Sequence, residues 1–217
     1  MKKLQEIYIG PGNAILVIVD VQNNFCKPGG KRYNETGAQI MPGVVSAIQG
    51  LAERSRSAGI PVIYIQGVGR REAPEFTVLG QEPRLEIGSW DLEIIDELKP
   101  QEGDIIVQKF SHDSFYKTDL DRVLERLVPD PTQHYAIVTG GVANVCLYHA
   151  VMGFHLRDYW ATVPVDSFYY FAEDGKQRAL AQFSLSGAYA NIFLSRSDLI
   201  KVAKTPEEAQ RRPVPGT

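Results

Sequence analysis

The sequence predicts an α/β protein with a doubly wound, six-stranded, mostly parallel sheet and helices on both faces. Six short apolar runs recur along the 217 residues, nearly continuous in Val and Ile rather than alternating, as in strands buried on both sides. Segments with helical spacing separate the runs, and strand alternating with helix is the pattern of a parallel sheet. Polar residues, Asp20 and Lys109, close two of the runs and Cys146 follows a third, at the strand ends where such sheets bind ligands.

Taken in order, the predicted strands are Ala14–Asp20, Pro61–Gly67, Ile105–Lys109, Tyr135–Gly140, Trp160–Asp166 and Asn191–Ser195. Helical spacing covers Val44–Ala58, Asp91–Leu98, Leu120–Leu127, Val145–Leu156 and Lys176–Ser186. Pro42-Gly43 reads as the start of the first helix, and Gly59 with Pro61 as its stop. Residues 68–90 have mixed polarity, two internal prolines and little periodicity, so they read as a lid or binding loop rather than a second domain. Residues 1–204 are expected to form one domain. The Pro-rich, charged stretch 205–217 reads as a flexible tail. No internal repeat is present.

A net charge of -3 offers no basic field, which argues against nucleic acid or an anionic membrane as partner. No apolar run approaches the roughly 18 residues that span a bilayer. The opening MKKLQEIYIGPGN lacks an apolar signal region, so a cytoplasmic location is expected. Two cysteines, Cys26 and Cys146, cannot build a zinc ribbon. Cys26 reads as a packing or loop residue. Cys146 opens a helix, where the dipole is expected to lower its pKa and make it a nucleophile. Singly, Asp20 can cap a turn, Lys109 can be a solvated strand end and Cys146 can be packing; together they mark one sheet edge.

These residues carry a resemblance. AILVIVDVQNNF holds Asp20, Gln22 and Phe25; DIIVQKFSHDSF holds Lys109 followed by Ser114-Phe115; TGGVANVC ends in Cys146. In this order the motifs resemble those of the isochorismatase-like cysteine hydrolases, which include nicotinamidases, N-carbamoylsarcosine amidase and ureidoacrylate or biuret hydrolases. The resemblance implies a Cys146–Asp20–Lys109 triad, with Cys146 attacking a carbonyl, Asp20 moving the proton and Lys109 holding Asp20. It also implies a cis peptide at Gly141-Val142 and an oxyanion hole from the N–H groups of Val142 and Cys146. No cofactor is implied, and the partner is a small-molecule substrate within a homodimer or homotetramer.

Phe25, Trp90 and Phe115 flank the motif residues and are expected as pocket walls, with Gln22 as a further substrate-binding residue; core packing is the competing reading of the aromatics. Arg70-Arg71 can meet a substrate carboxylate or be solvated loop charges. Where nicotinamidases carry an Asp and a His for metal, this chain reads Gln66-Gly67-Val68, so no metal site is expected. Of the four histidines, His112 can reach the pocket, while His134, His149 and His155 read as surface or packing residues. Ala143, where relatives usually have Thr, and the bulky Tyr148 and His149 bear on the substrate.

The expected function is hydrolysis of a C–N bond in a small amide, ureide or carbamoyl compound through a thioester. The alternatives are a nicotinamidase-type or isochorismatase-type hydrolase, or an idle family member serving as a scaffold. A phospho-acceptor domain also sets Asp and Lys at strand ends, but it needs further acidic residues where Val21-Gln22-Asn23-Asn24 stand. A dinucleotide-binding protein is disfavoured because Gly67-Val68-Gly69 is only a fragment of a phosphate loop, after the wrong strand.

Overall fold

A computed structural model describes residues 2–185 and 189–210. Along the chain come β1 (Ile7–Ile9), β2 (Ala14–Val19), α1 (Asn23–Cys26), α2 (Glu35–Ser57), β3 (Val62–Gly67), α3 (Pro74–Thr77), β4 (Ile105–Lys109), α4 (Leu120–Leu127), β5 (Tyr135–Gly140), α5 (Cys146–His155), β6 (Trp160–Pro164), α6 (Glu173–Phe183), β7 (Ile192–Ser195), β8 (Ile200–Val202) and α7 (Pro206–Gln210). Six strands form one sheet in the order β4-β3-β2-β5-β6-β7, every pairing parallel. The chain runs outward from β2 to β3 and β4, then crosses to β5 on the other side. The switch point therefore lies between β2 and β5, where ligands bind in such sheets.

The continuous apolar runs are used on both faces. Ile15, Val17 and Val19 pack with Leu124, Leu147, Val151 and Phe183 from α4, α5 and α6. Leu16 and Ile18 face the other way, onto Ile48, Leu51 and Ala52 of α2. In α2 the buried residues Met41, Val44, Ile48, Leu51 and Ser55 recur at helical spacing.

Several elements differ from the sequence expectation. Helix α2 starts well before Val44, because Asn34 caps it by accepting a hydrogen bond from Gly37 N–H at 2.9 Å. Pro42 lies inside this helix rather than at its start. The segment Asp91–Leu98 is not a continuous helix but two 3-10 turns, Trp90–Leu92 and Asp96–Leu98. Between them Ile94 bridges to Gln22, and the Ile95 N–H donates to Val21 O, which pulls this stretch out of helical geometry. Strands β1 and β8 form an additional parallel two-stranded ribbon, each too short for a periodic signal. The expected tail begins instead with α7, whose Ala209 carbonyl accepts from Asn13 Nδ2 at 2.6 Å. Residues 211–217 lie outside the described residues. No helix among the described residues is long and apolar enough to cross a membrane.

Gly140 ends β5 with φ of +95°, and a Cβ there would sit 2.0 Å from Val19 O. Only glycine allows the backbones of β2 and β5 to close at the switch point. Gly140→Ala is expected to destabilise the fold by about 2 kcal/mol or more, read as a lower urea midpoint. An unchanged midpoint would contradict this role.

Candidate active site

Asp20 follows β2 and Lys109 ends β4, with β3 between them, and their side chains meet across it. Lys109 Nζ lies 2.9 Å from Asp20 Oδ2, with each side chain 2 % exposed. The pair passes over Gly67, where an added Cβ would stand 3.2 Å from Asp20 Oδ1. Asp20 adopts φ of 51°, a left-handed conformation that Asp tolerates better than most residues. It is held there by its own N–H donating to Ile65 O at 2.9 Å and by Tyr169 OH donating to its carbonyl at 2.7 Å. Lys109 also donates to Ser111 O at 3.1 Å. The second carboxylate oxygen, Asp20 Oδ1, is buried without a hydrogen-bond partner.

Cys146 is the first residue of α5 and a free, buried thiol. It lines a cavity of about 410 Å³ together with Asp20, Lys109, Phe25, His112 and Val142, a volume suited to a small molecule. Its pKa is pushed up to about 12, first by burial and then by the Asp20 carboxylate, against a downward pull from Lys109. The expected lowering is therefore overturned: burial and a neighbouring anion raise the pKa instead. For Lys109, burial opposes the charge, but Asp20 and Cys146 raise the pKa and the net direction is upward.

The peptide Gly141-Val142 is cis. In the loop that follows, Gly141 N–H donates to Val19 O, Ala143 N–H to Tyr169 O, and the Val145 and Leu147 N–H groups to Val142 O. The N–H groups of Val142 and Cys146 take no part in that network. Val142 and Cys146 both line the cavity.

Of the other expected residues, Phe25 lines the cavity and its ring lies 6.4 Å from that of Tyr169. Gln22 does not line it. Wholly buried, it donates to Gly67 O and Leu92 O and accepts from Gly67 N–H, so it ties β2 to the end of β3 instead of meeting a ligand. Trp90 is 49 % exposed, lies beside Gly29 and does not line the cavity. Phe115 is core: its ring packs edge-on to Phe154 at 5.0 Å, lies under Arg157 and fills space left open at Gly153. The pocket aromatics missed in the sequence are Phe76, Phe110 and Phe171. Arg70 and Arg71 do not line the cavity, and Arg71 pairs with Glu86; Arg32 and Arg84 stand on the wall instead. Phe76 and Arg84 lie in the 68–90 loop that the sequence marks as a binding loop, but no periodicity distinguishes them from their neighbours.

His112 does reach the site, its Nδ1 3.5 Å from Cys146 Sγ. Burial, then Lys109 and His149, hold its pKa below the ordinary histidine value, so the ring is neutral at neutral pH. His149 is exposed and Tyr148 stacks on Phe183, so neither bulky residue enters the cavity. No group of three or more His, Cys, Asp and Glu able to hold a metal occurs among the described residues.

The isochorismatase domain family model matches residues 14–191. The chain belongs to the isochorismatase domain family. It is 31 % identical over 195 residues to the ureidoacrylate amidohydrolase RutB of Pseudomonas savastanoi pv. phaseolicola, covering 78 % of this chain and 76 % of that one. It superposes on a cysteine hydrolase from Pseudomonas syringae pv. phaseolicola with a TM-score of 0.73 and 27 % identity, over 91 % of this chain and 94 % of the other. N-carbamoylsarcosine amidase from Thermoplasma acidophilum shares the fold at a TM-score of 0.70 and 24 % identity, over 86 % and 97 % of the two chains.

Because Asp20 raises the Cys146 pKa and Lys109 lowers it, the two neighbours have opposite signatures. Asp20→Asn is expected to speed alkylation of Cys146 by iodoacetamide at about pH 8, and Lys109→Met to slow it, by about tenfold for each pKa unit moved. Equal rates in both variants, or shifts in the reverse directions, would contradict the electrostatics of the site.

Proposed function

We propose that this family member is an amidohydrolase that cleaves a C–N bond of a small amide, ureide or carbamoyl compound by covalent catalysis at Cys146. The observation that carries the reading is the buried Asp20, with one oxygen tied to Lys109 and the other unpartnered, beside a thiol that lines the same cavity. A thiol with a pKa of about 12 is protonated at neutral pH, so it needs a base at the moment of attack. In this reading Asp20 Oδ1 supplies it.

In this mechanism the Cys146 proton passes to Asp20 as the sulfur forms a bond to the substrate carbonyl carbon. The N–H groups of Val142 and Cys146 donate to the resulting oxyanion, a type of stabilisation worth about 3–4 kcal/mol per donor. The C–N bond then breaks, Asp20 returns the proton to the leaving nitrogen, and a thioester remains. Water attacks the thioester while Asp20 takes its proton; the C–S bond breaks and the thiol is restored. Lys109 holds Asp20 in place through both halves. The neutral ring of His112 offers the sulfur a second hydrogen-bond partner.

The kinship with ureidoacrylate amidohydrolases supports ureides and amides as the first substrates to try. The test is ammonia release from a panel of primary amides and ureido acids. Asp20→Asn and Lys109→Ala are each expected to cost at least about 10²-fold, and the double variant little more than the worse single one. Additive losses would mean that the two charges act independently and would contradict the proposed unit. No release from any member of the panel would count against the amidohydrolase reading.

A further inference from the structure

Two guanidinium groups on the cavity wall stand together without a carboxylate between them. Arg32 Nη2 and Arg84 Nη1 donate to the same oxygen, Gln81 Oε1, at 3.0 and 3.1 Å. Both line the cavity that holds Cys146 and also an adjoining hollow of about 290 Å³ with Lys31, Gln81 and Glu82, so they mark the seam between the two spaces. Neither forms an ion pair among the described residues, although eleven such pairs occur elsewhere.

The acidic residues of the wall do not neutralise this pair. Asp174 is engaged by Arg178 at 2.7 Å. Glu75 makes no ion pair with either guanidinium; burial and then Arg32 lower the Arg84 pKa against a smaller opposing effect of Glu75. Arg32 is exposed and Arg84 half-buried, and like charges brought this close are unfavourable until an anion joins them. Arg84 is also oriented, since its guanidinium lies 5.1 Å above the Phe76 ring, and a planar fork fixed in this way suits a carboxylate. The apolar side chains Phe25, Phe76, Leu85 and Phe171 line the same cavity.

We propose that Arg32 and Arg84 form a carboxylate subsite, so that the substrate is a short acid with its carboxylate at this seam and its scissile carbonyl at Cys146. The second half of this statement rests on the reading of Cys146 as the nucleophile. A neutral amide of the same length would leave the guanidinium pair uncompensated, and a site built around a charge discriminates strongly against an analogue that lacks it. The compound consumed would then be an amido or ureido acid rather than a neutral amide such as a pyridine carboxamide.

The test compares 3-ureidoacrylate with its methyl ester. Binding to the Cys146→Ser protein is measured by calorimetry, and turnover is measured with the native thiol. The acid is expected to bind at least about tenfold more tightly than the ester. Arg32→Gln/Arg84→Gln is expected to abolish that ratio, while Arg84→Lys, which keeps the charge, retains part of it and shows that the loop still folds. Equal binding of acid and ester, no binding of the acid, or a preference that persists in the double variant would overturn the subsite. Acid-selective binding without turnover by the native chain would sustain the subsite and refute the hydrolase reading.

Discussion

The architecture of the site depends on the buried ion pair between Asp20 and Lys109. Each charge is 2 % exposed, and taking two ions out of water costs several kcal/mol per ion before their attraction is counted. Such a pair persists only where the scaffold fixes both ends. Here β2 and β4 are locked in parallel register on either side of β3, Gly67 leaves the space between them open, and Gln22 pins the Gly67 backbone through both its N–H and its C=O. Removing either charge strands the other in a dry cleft, which typically costs about 3–5 kcal/mol. The pair is therefore a poor device for stability alone, and the proposed mechanism gives it a chemical use at the ligand-binding edge of the sheet.

Its geometry sets the behaviour of the thiol. One Asp20 oxygen is occupied by Lys109 and the other has no hydrogen-bond partner, so the carboxylate keeps an open acceptor site. Cys146 feels that anion and its own burial more than the cation, and stays protonated at rest. In the proposed mechanism such a site avoids a standing thiolate, which is exposed to oxidation, and forms the nucleophile only when a carbonyl is present to receive it. The turn between β5 and α5 completes the arrangement. It can approach β2 so closely because Gly140 has no Cβ, and Tyr169 reaches across to hold the Asp20 carbonyl.

The six sheet strands, the parallel pattern and the clustering of Asp20, Lys109 and Cys146 were legible in the sequence, because Val- and Ile-rich runs ending in polar residues encode both burial and the functional edge. The start of α2 was not, since its capping residue Asn34 lies in a polar stretch and Pro42 looks like a beginning. Trp90 and Phe115 show why neighbours of a motif are poor guides to pocket walls: one sits half-exposed beside Gly29, and the other turns into the core between Phe154 and Arg157. The Arg32–Arg84 pair is not legible in the sequence because the proximity arises from a loop-to-loop contact through Gln81, which leaves no trace in spacing. The raised pKa of Cys146 is not legible in the sequence, because a helix start is visible there whereas burial and a nearby anion are not.

The central claim is that the C–N bond is broken through a covalent link to Cys146. Rapid-quench peptide mass spectrometry during turnover of a ureido acid tests it most directly. The account predicts a substrate-derived acyl mass on the peptide containing Cys146, rising within the first turnover and disappearing when substrate is exhausted. Steady turnover with that peptide unmodified at every time point, or an adduct confined to Cys26, would contradict it.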